Sequence, residues 1–342
     1  SIAPGPHTHN DGFVIYADYW YDFSLGRGGD IIELVRWAQC NGDRAQAIRL
    51  LAGDEQFSGF NWRGFADELR AKVNHWHSRL RLEDIAYLHS RRISDETIEN
   101  LKIGYSQNRQ RLIVPYFRNG EPVYWAGRDR SPAGSIDTYT GKAPAKYVKM
   151  PCKDIPEAEN IPWGYDTLGE KSTELIITPE GSFSKNDIVV ISEGMFDIMS
   201  FYQEGFKCLS PISGCFNKRY HKQIADLLKI HSKYVVMCFD SDPAGSNFTL
   251  KMAGLLLSTH IKFRCAILPQ GIKDVSDYYA AGGDLNRLVA GAVDGIKAIA
   301  QLFTDQPHST KANGRFLGSD EFKTFLQEHA RFMDRIDLNV FC

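Results

Sequence analysis

The sequence predicts an α/β protein, of α+β type overall, with a parallel β-sheet at its centre. Two unbroken apolar runs, Ile188–Ser192 and residues 234–239, are rich in β-branched residues. This composition is typical of strands buried on both faces of a parallel sheet. Each run leads through a glycine-containing acidic turn into a segment with helical apolar spacing, and a third run follows at residues 263–268. We therefore expect parallel strands joined by helices.

The first acidic signature follows the first of these strands. Glu193 comes directly after Ser192, and Asp197 lies four residues further on. If residues 196–204 form a helix that stops at Gly205, Asp197 lies in its first turn and faces the same site as Glu193. Gly194 permits the sharp turn between strand and helix.

The second and third signatures follow the next two strands. Asp240 and Asp242 are separated by one residue, so in extended backbone both side chains point to the same side. Pro243 suits the first turn of a helix that would run to Leu257. After the third strand, Asp274 adds a further carboxylate, with Asp277 as a second choice.

These carboxylates should meet at one edge of the sheet, because open α/β sheets bind ligands at the carboxyl ends of their strands. Carboxylates gathered in this way repel one another unless a divalent cation neutralises them. The pattern therefore predicts a magnesium-type site built for phosphate chemistry. The alternative is a set of surface acidic loops that bind no metal.

The two motifs together resemble the TOPRIM domain, a metal-binding α/β module shared by DnaG-type primases, topoisomerases and several nucleases. The resemblance rests on Glu193-Gly194 with the trailing Asp197, and on Asp240-x-Asp242 with the following Gly245. Each motif is short and weak alone, but here both occur in order, each after a buried strand.

The region upstream resembles the RNA-polymerase core of bacterial and phage primases, which topoisomerases and TOPRIM nucleases lack. The similar segments are residues 87–98, 101–105, 111–117, 123–128 and 144–148. The whole resemblance covers about residues 84–280. Ala126, where the family usually has glycine, and the inserted Ala145 depart from the family pattern.

The upstream segments interleave cations with aromatic residues, a combination that suits phosphates and unpaired bases. The resemblance implies that Arg128 and Lys146, and with less support Arg111, contact incoming nucleotide phosphates or the template. Tyr116 and Trp125 in the same strands are predicted to be core residues.

The first 52 residues resemble, more weakly, the zinc ribbon with which primases usually begin. Asp22 and Leu25 occupy the places of two cysteines, and only His7 and His9 remain near the other pair. A structural zinc site needs four thiolate or imidazole ligands, so we expect a relic of the ribbon without zinc. The predicted domains are residues 1–52, the α+β primase core at 62–180, the TOPRIM subdomain at 181–283 and a helical segment at 284–342.

The resemblance implies a DNA primase, an enzyme that makes short RNA primers on single-stranded DNA by metal-dependent nucleotidyl transfer. Glu193, Asp240 and Asp242 would be catalytic and would hold Mg²⁺ or Mn²⁺, with Asp197 and Asp274 completing the metal ligands. The family often has a second acid two residues after the position of Asp274, where this chain has Ser276. Ribonucleoside triphosphates, the DNA template and a replicative helicase in trans would be its partners.

Two other functions remain open. A TOPRIM nuclease would need a cleavage nucleophile or helper residues, none of which is identifiable in the sequence. A nucleic-acid-binding or loading factor that has lost activity is compatible with the missing zinc ligands, although the retained carboxylates argue against it.

Composition agrees with a globular nucleic-acid enzyme. The 342 residues are 43% hydrophobic with a net charge of −2, which excludes a largely disordered chain. Residues 109–130 are locally basic, with five arginines against Glu121 and Asp129. No run approaches the ~20 apolar residues that span a bilayer, no signal peptide is recognisable, and seven scattered cysteines suit a reducing compartment. We expect no membrane partner and a bacterial, phage or plasmid protein of the cytoplasm.

Overall fold

The computed structural model describes the larger part of the chain. The described residues are 13–15, 20–22, 27–38, 40, 42–44, 47–48, 62–131, 135–136, 142–151, 162–170, 172–178, 181–212, 215–304 and 324–328. None of the helices among them is both long enough and apolar enough to cross a membrane.

The amino-terminal segment forms a small antiparallel sheet followed by a helix. Its strands are β1 (Phe13–Ile15), β2 (Trp20–Asp22) and β3 (Arg27–Gly29), and helix α1 is Ile31–Ala38. Trp20 is buried, and its indole N–H donates to the carbonyl oxygen of Asp30 at 3.1 Å. Of the residues at the predicted zinc-ligand places, only Asp22 is described. His7, His9 and Leu25 lie outside the described residues.

Three helices and a four-stranded antiparallel sheet come next. The helices are α2 (Trp62–Ser78), α3 (Leu82–Ser90) and α4 (Asp95–Asn100), and the strands are β4 (Gly104–Ser106), β5 (Arg111–Arg118), β6 (Glu121–Arg128) and β7 (Tyr147–Lys149), in that order across the sheet. A tight turn at Asn119-Gly120 joins β5 to β6. Both residues have positive φ, 55° and 77°, as expected of the two-residue turns that match strand twist. Tyr116 and Trp125 are buried, as predicted.

A five-stranded sheet forms the second half of the molecule. A small hairpin, β8 (Leu175–Thr178) and β9 (Gly181–Ser184), precedes it. The sheet consists of β10 (Ile188–Ser192), β11 (Lys207–Leu209), β12 (Tyr234–Cys238), β13 (Phe263–Cys265) and β14 (Val293–Asp294), in the order β11-β10-β12-β13-β14. The first four are parallel and β14 is antiparallel. The α/β prediction and the α+β character of the whole are confirmed.

Helices connect these strands and follow them. They are α5 (Met195–Gln203), α6 (His221–His231), α7 (Pro243–Ser258), α8 (Val275–Ala280), α9 (Leu285–Ala290) and α10 (Gly295–Thr304). The predicted helix that stops at Gly205 is confirmed, and Gly205 has a φ of +73°. One difference is β14, which lies past residue 283 in the segment predicted to be helical. Two residues are too short for a strand pattern to be legible in the sequence.

The parallel sheet has a buried core on each face. Along β10, Val189 and Ile191 belong to one cluster, whereas Ile188 and Val190 belong to the other. The second cluster also contains Leu112 of β5 and other core residues of the antiparallel sheet. The two sheets thus share one hydrophobic core. This core holds the ends of β6 and β7 close to the carboxyl-terminal ends of the parallel strands.

Candidate metal and nucleotide site

The predicted acidic residues follow the carboxyl ends of adjacent parallel strands. Glu193 follows β10, Asp240 and Asp242 follow β12, and Asp274 follows β13 at the end of a loop. Because β10, β12 and β13 run in the same direction, these residues share one edge of the sheet, which we call the acidic edge.

The turn after β10 is compact. Gly194 is the residue before α5, and a Cβ atom on it would collide with the carboxylate of Asp197. Only glycine leaves room for this close approach. Glu193 lies beside it, partly buried, and its carbonyl oxygen accepts a hydrogen bond from Ser210 Oγ at 3.0 Å.

Asp197 is the most deeply buried carboxylate of the acidic edge, with 6% of its surface exposed. Its Oδ1 accepts a hydrogen bond from the backbone N–H of Ser276 at 2.9 Å. Burial, and then the negative charges of Asp274 and Asp240, raise the pKa of Asp197 to about 7. A buried carboxylate beside other carboxylates holds its proton more tightly, because its ionised form is both desolvated and repelled.

Asp240 and Asp242 differ in environment although only Ser241 separates them. Burial, followed by the charges of Asp274 and Asp242, raises the pKa of Asp240 to about 6. Asp242 caps α7, and its Oδ1 accepts from the backbone N–H of Gly245 at 2.9 Å. This hydrogen bond, opposed by burial but helped by nearby Lys273, lowers the pKa of Asp242. Gly245 is needed because a Cβ atom there would collide with the backbone of Asp240.

The loop after β13 contributes a carboxylate and a cation. Asp274 caps α8, with its Oδ1 accepting from the backbone N–H of Asp277 at 2.8 Å. Lys273 Nζ lies 3.5 Å from Asp242 Oδ2. The charge and hydrogen bond of Asp242, and then the charge of Asp240, raise the pKa of Lys273. The side chain of Asp277 is exposed.

The predicted cations come from the ends of β6 and β7. The guanidinium of Arg128 lies 4.9 Å from the ring centre of Tyr147 and 5.8 Å from that of Phe196, a residue of the first turn of α5. Among the described residues, its Nε and Nη1 are buried and have no hydrogen-bond partner. A guanidinium held between two rings with two unused donors is suited to receive the oxygens of a phosphate.

Lys146 and Arg111 differ in exposure and in their charged neighbours. Lys146 is exposed, and its positive charge is one of the influences that lower the pKa of Asp240. Arg111 forms an ion pair with Asp129, at 3.2 Å between Nη1 and Oδ1. Lys146 is therefore close enough to act on the acidic edge electrostatically, whereas Arg111 already has a carboxylate partner.

Two residues of this region, Arg91 and Lys273, were not singled out from the sequence, and Tyr147 was expected only as one of the aromatic residues interleaved with the cations. Tyr147 has a pKa raised to about 12, mainly by burial, and its hydroxyl is hydrogen-bonded to the backbone of Met195 at the start of α5. Arg91 Nη1 donates to Ser276 Oγ at 2.8 Å, which ties helix α3 to the acidic edge. Lys273 had one legible signal, a basic residue immediately before a predicted ligand.

The chemistry of this donor set fits a hard divalent cation, which prefers oxygen ligands. The pKa values of Asp197 and Asp240 are raised first by burial and then by repulsion from neighbouring carboxylates, and a bound cation would offset both. As the side chains stand, no three His, Cys, Asp or Glu residues in the described ranges converge closely enough to hold an ion. The residue types therefore fit the metal, but their present side-chain positions are not those of a bound site.

Comparisons with known proteins agree with this geometry. A family described as Toprim-like matches residues 190–279. A DNA primase of Deinococcus radiodurans is 24% identical over 319 residues, covering 84% of this chain and 54% of its own length. The chain thus spans about half the length of that relative.

Two solved structures share the fold. One contains the zinc-binding and RNA polymerase domains of the Aquifex aeolicus primase, with a TM-score of 0.54 and 18% identity over 99% of this chain and 92% of that one. The other is a DnaG primase catalytic domain bound to single-stranded DNA, with a TM-score of 0.51 and 17% identity over 79% of this chain and 98% of that one. The resemblance to DnaG-type primases is confirmed: this chain has the fold of a DnaG primase core and carries a Toprim-like domain.

Proposed function

We propose that this chain is the catalytic part of a DNA primase, which copies single-stranded DNA into short RNA primers. The observation that carries the proposal is the position of Arg128. Its guanidinium lies near Phe196 in the first turn of α5, and its Nε and Nη1 are buried without a hydrogen-bond partner among the described residues. Phosphate-binding cations and metal-binding carboxylates then belong to one site. The similarity to the Deinococcus radiodurans primase, and to a primase domain bound to single-stranded DNA, supports the same function.

The acidic edge would hold Mg²⁺, or Mn²⁺, through Glu193, Asp197, Asp240, Asp242 and Asp274. Bound ions of this kind activate an attacking hydroxyl and stabilise a leaving pyrophosphate. The chain itself holds the carboxylates of these residues in place. Asp242 and Asp274 are anchored by the helices that they cap, and Asp197 is anchored by Ser276, so the carboxylates are held near one another before any ligand arrives.

Arg128 and Lys146 would neutralise the triphosphate as charge develops on it. Arg128 can offer its Nε and Nη1 N–H donors to phosphate oxygens, and its proximity to the rings of Tyr147 and Phe196 removes part of its freedom before binding. Lys146 is an exposed point charge near Asp240. For Arg111, contact with the template or nucleotide would require it to share or leave Asp129.

Glu193 is proposed as a general base in addition to a metal ligand. The Glu193→Gln variant should lose synthesis but retain template binding, because the amide keeps the shape of the side chain without its charge. Retention of synthesis would refute the role.

Ribonucleoside triphosphates and single-stranded DNA are the proposed substrates, and a replicative helicase acting in trans is the proposed partner. We place the activity where bacterial, phage or plasmid DNA is replicated, in the cytoplasm. For residues 1–52 we retain the proposal of a ribbon relic that binds no zinc.

The test is incorporation of labelled ribonucleotides on single-stranded DNA of mixed sequence, with Mg²⁺ or Mn²⁺. Wild type is compared with Asp240→Ala, and with Asp226→Ala on the exposed face of α6 as the matched control. Short oligoribonucleotides from wild type and Asp226→Ala, but not from Asp240→Ala, are the expected result.

Other outcomes favour the alternative functions. Degradation of the template that depends on Asp240 would indicate a nuclease. DNA binding without any product, also in the presence of a helicase, would indicate a loading factor.

A further inference from the structure

Lys273 is a cation inside the acidic edge. Its Nζ lies 3.5 Å from Asp242 Oδ2, and Asp240 and Asp274 act on it electrostatically. Its ammonium thus faces carboxylates that follow two different strands, β12 and β13. This is the region in which the proposed function requires a divalent cation.

The backbone of Lys273 is fixed to the neighbouring loop. The N–H of Ser241, between Asp240 and Asp242, donates to the carbonyl oxygen of Lys273 at 2.7 Å. The side chain by contrast is 60% exposed. A fixed backbone with an exposed, flexible four-carbon stem lets the ammonium reach the carboxylates and also swing away from them.

Asp242 and Asp274 each have one carboxylate oxygen that accepts a hydrogen bond from a backbone N–H. Asp242 Oδ1 is held by Gly245, so Oδ2, the oxygen nearest Lys273, is the one left for a cation. In the described part of the chain no three acidic, His or Cys side chains converge on one point.

We propose that Lys273 is a built-in counter-ion, which neutralises Asp242 and its neighbours in the metal-free protein and is displaced when a divalent cation binds. The proposal rests on the proposed function in one respect, that these carboxylates bind a divalent cation. The ammonium and the metal compete for the same oxygen, so Lys273 lowers the affinity for metal while it stabilises the metal-free protein.

The test is Mn²⁺ binding to the full chain without nucleotide or DNA, measured by titration calorimetry or by the electron paramagnetic resonance of free Mn²⁺. Wild type is compared with Lys273→Gln and with Lys273→Arg, which keeps the charge. The control is Lys262→Gln, which replaces an exposed lysine immediately before β13. Lys273→Gln should bind Mn²⁺ roughly 3- to 10-fold more tightly, on the scale of losing one exposed charge from the site. The other two variants should bind like wild type.

A second readout is the melting temperature. Without metal, Lys273→Gln should melt below wild type, and saturating Mn²⁺ should remove the difference. Unchanged or weaker Mn²⁺ binding by Lys273→Gln would overturn the proposal, and would point instead to a lysine that contacts substrate phosphate.

The design separates this inference from the proposed function. Asp240-dependent Mn²⁺ binding without primer synthesis would contradict the primase activity alone. Absence of Asp240-dependent Mn²⁺ binding in wild type would overturn both.

Discussion

Two buried aspartates, Asp84 and Asp197, have charged neighbours of opposite sign. Asp84, in α3, is fully buried, and two arginines contact it: Arg81 Nε at 2.8 Å and Arg130 Nε at 2.7 Å. Asp197, at the acidic edge, is almost as buried, but its close neighbours include Asp240 and Asp274, and burial and repulsion raise its pKa to about 7.

The difference separates a structural charge from a functional one. At Asp84 the chain supplies the compensating cations itself, so the carboxylate is complete without a ligand. At the acidic edge compensation is partial, because Lys273 is exposed and carries one charge against several. Buried charge that the chain does not fully neutralise is stabilised by a bound ion, which is why such clusters mark functional sites.

The largest effect is expected from removing the structural carboxylate. Asp84→Ala removes the buried carboxylate that Arg81 and Arg130 share and leaves them, among the described carboxylates, only the exposed Glu83, and breaking a buried ion pair costs about 3–5 kcal/mol. The free energy of unfolding should fall by that amount in urea denaturation. The control is Asp67→Ala, whose ion pair with Arg70 is exposed and should contribute no more than about 1 kcal/mol. Equal losses in the two variants would contradict the comparison.

The acidic edge should show the opposite behaviour with pH. The folded-state pKa values of Asp197 and Asp240, about 7 and about 6, lie above the ordinary value of 3.8. Their contribution to stability is therefore fully present below pH ~4 and is lost progressively as pH rises to ~7, because the folded protein holds protons that the unfolded chain has already released. The free energy of unfolding of the metal-free protein, measured across this range, should fall. Saturating Mg²⁺ should suppress the fall.

Replacing Asp274, which caps α8, tests whether repulsion at the acidic edge causes this pH dependence. Asp274→Ser removes a charge but keeps a side chain that can cap α8, so at pH 7.5 it should stabilise the metal-free protein and flatten the pH dependence. Asp284→Ser changes the equivalent cap of α9 and should leave the pH dependence unaltered. If both variants destabilise alike, repulsion at the acidic edge is not the cause of the pH dependence.

A smaller effect is expected from the cation beside the acidic edge. Arg128→Lys keeps the charge but loses the planar donors and the stacking on Tyr147 and Phe196. The KM for ribonucleotides should rise about tenfold, equivalent to ~1.4 kcal/mol, with little change in stability. Arg287→Lys, at a position where the side chain is 88% exposed, is the control. A kcat effect with unchanged KM would contradict a role in binding the ground-state triphosphate.

The smallest expected effect concerns the hydrogen bond between Arg91, at the end of α3, and Ser276 of α8. Ser276→Ala removes the hydrogen bond from Arg91 but keeps the backbone N–H that holds Asp197. Stability should fall by about 1 kcal/mol, and Mn²⁺ affinity should change less than twofold. A large loss of metal affinity would show that the hydroxyl, and not only the backbone of Ser276, positions Asp197.

Much of the fold was predictable because its signals are local. The buried runs that became β10 and β12, the turn at Asn119-Gly120 and the helix that begins at Pro243 are each encoded within a few residues by hydrophobic period, φ preference and capping chemistry. The strand β14 was missed because its two residues carry no period.

The candidate site divides in the same way. Which carboxylate follows which strand can be read along the chain, and the parallel direction of the strands then brings the carboxylates to one edge. Their partners depend on the three-dimensional fold: Lys273 beside Asp242, Arg91 on Ser276, and Arg128 near Tyr147 and Phe196. Arg91 and Ser276 are 185 residues apart in the chain. The hydrophobic period of a strand or helix depends on residues that are close together in the chain. The pairing and desolvation of a charge depend on which distant segments the shared core brings together.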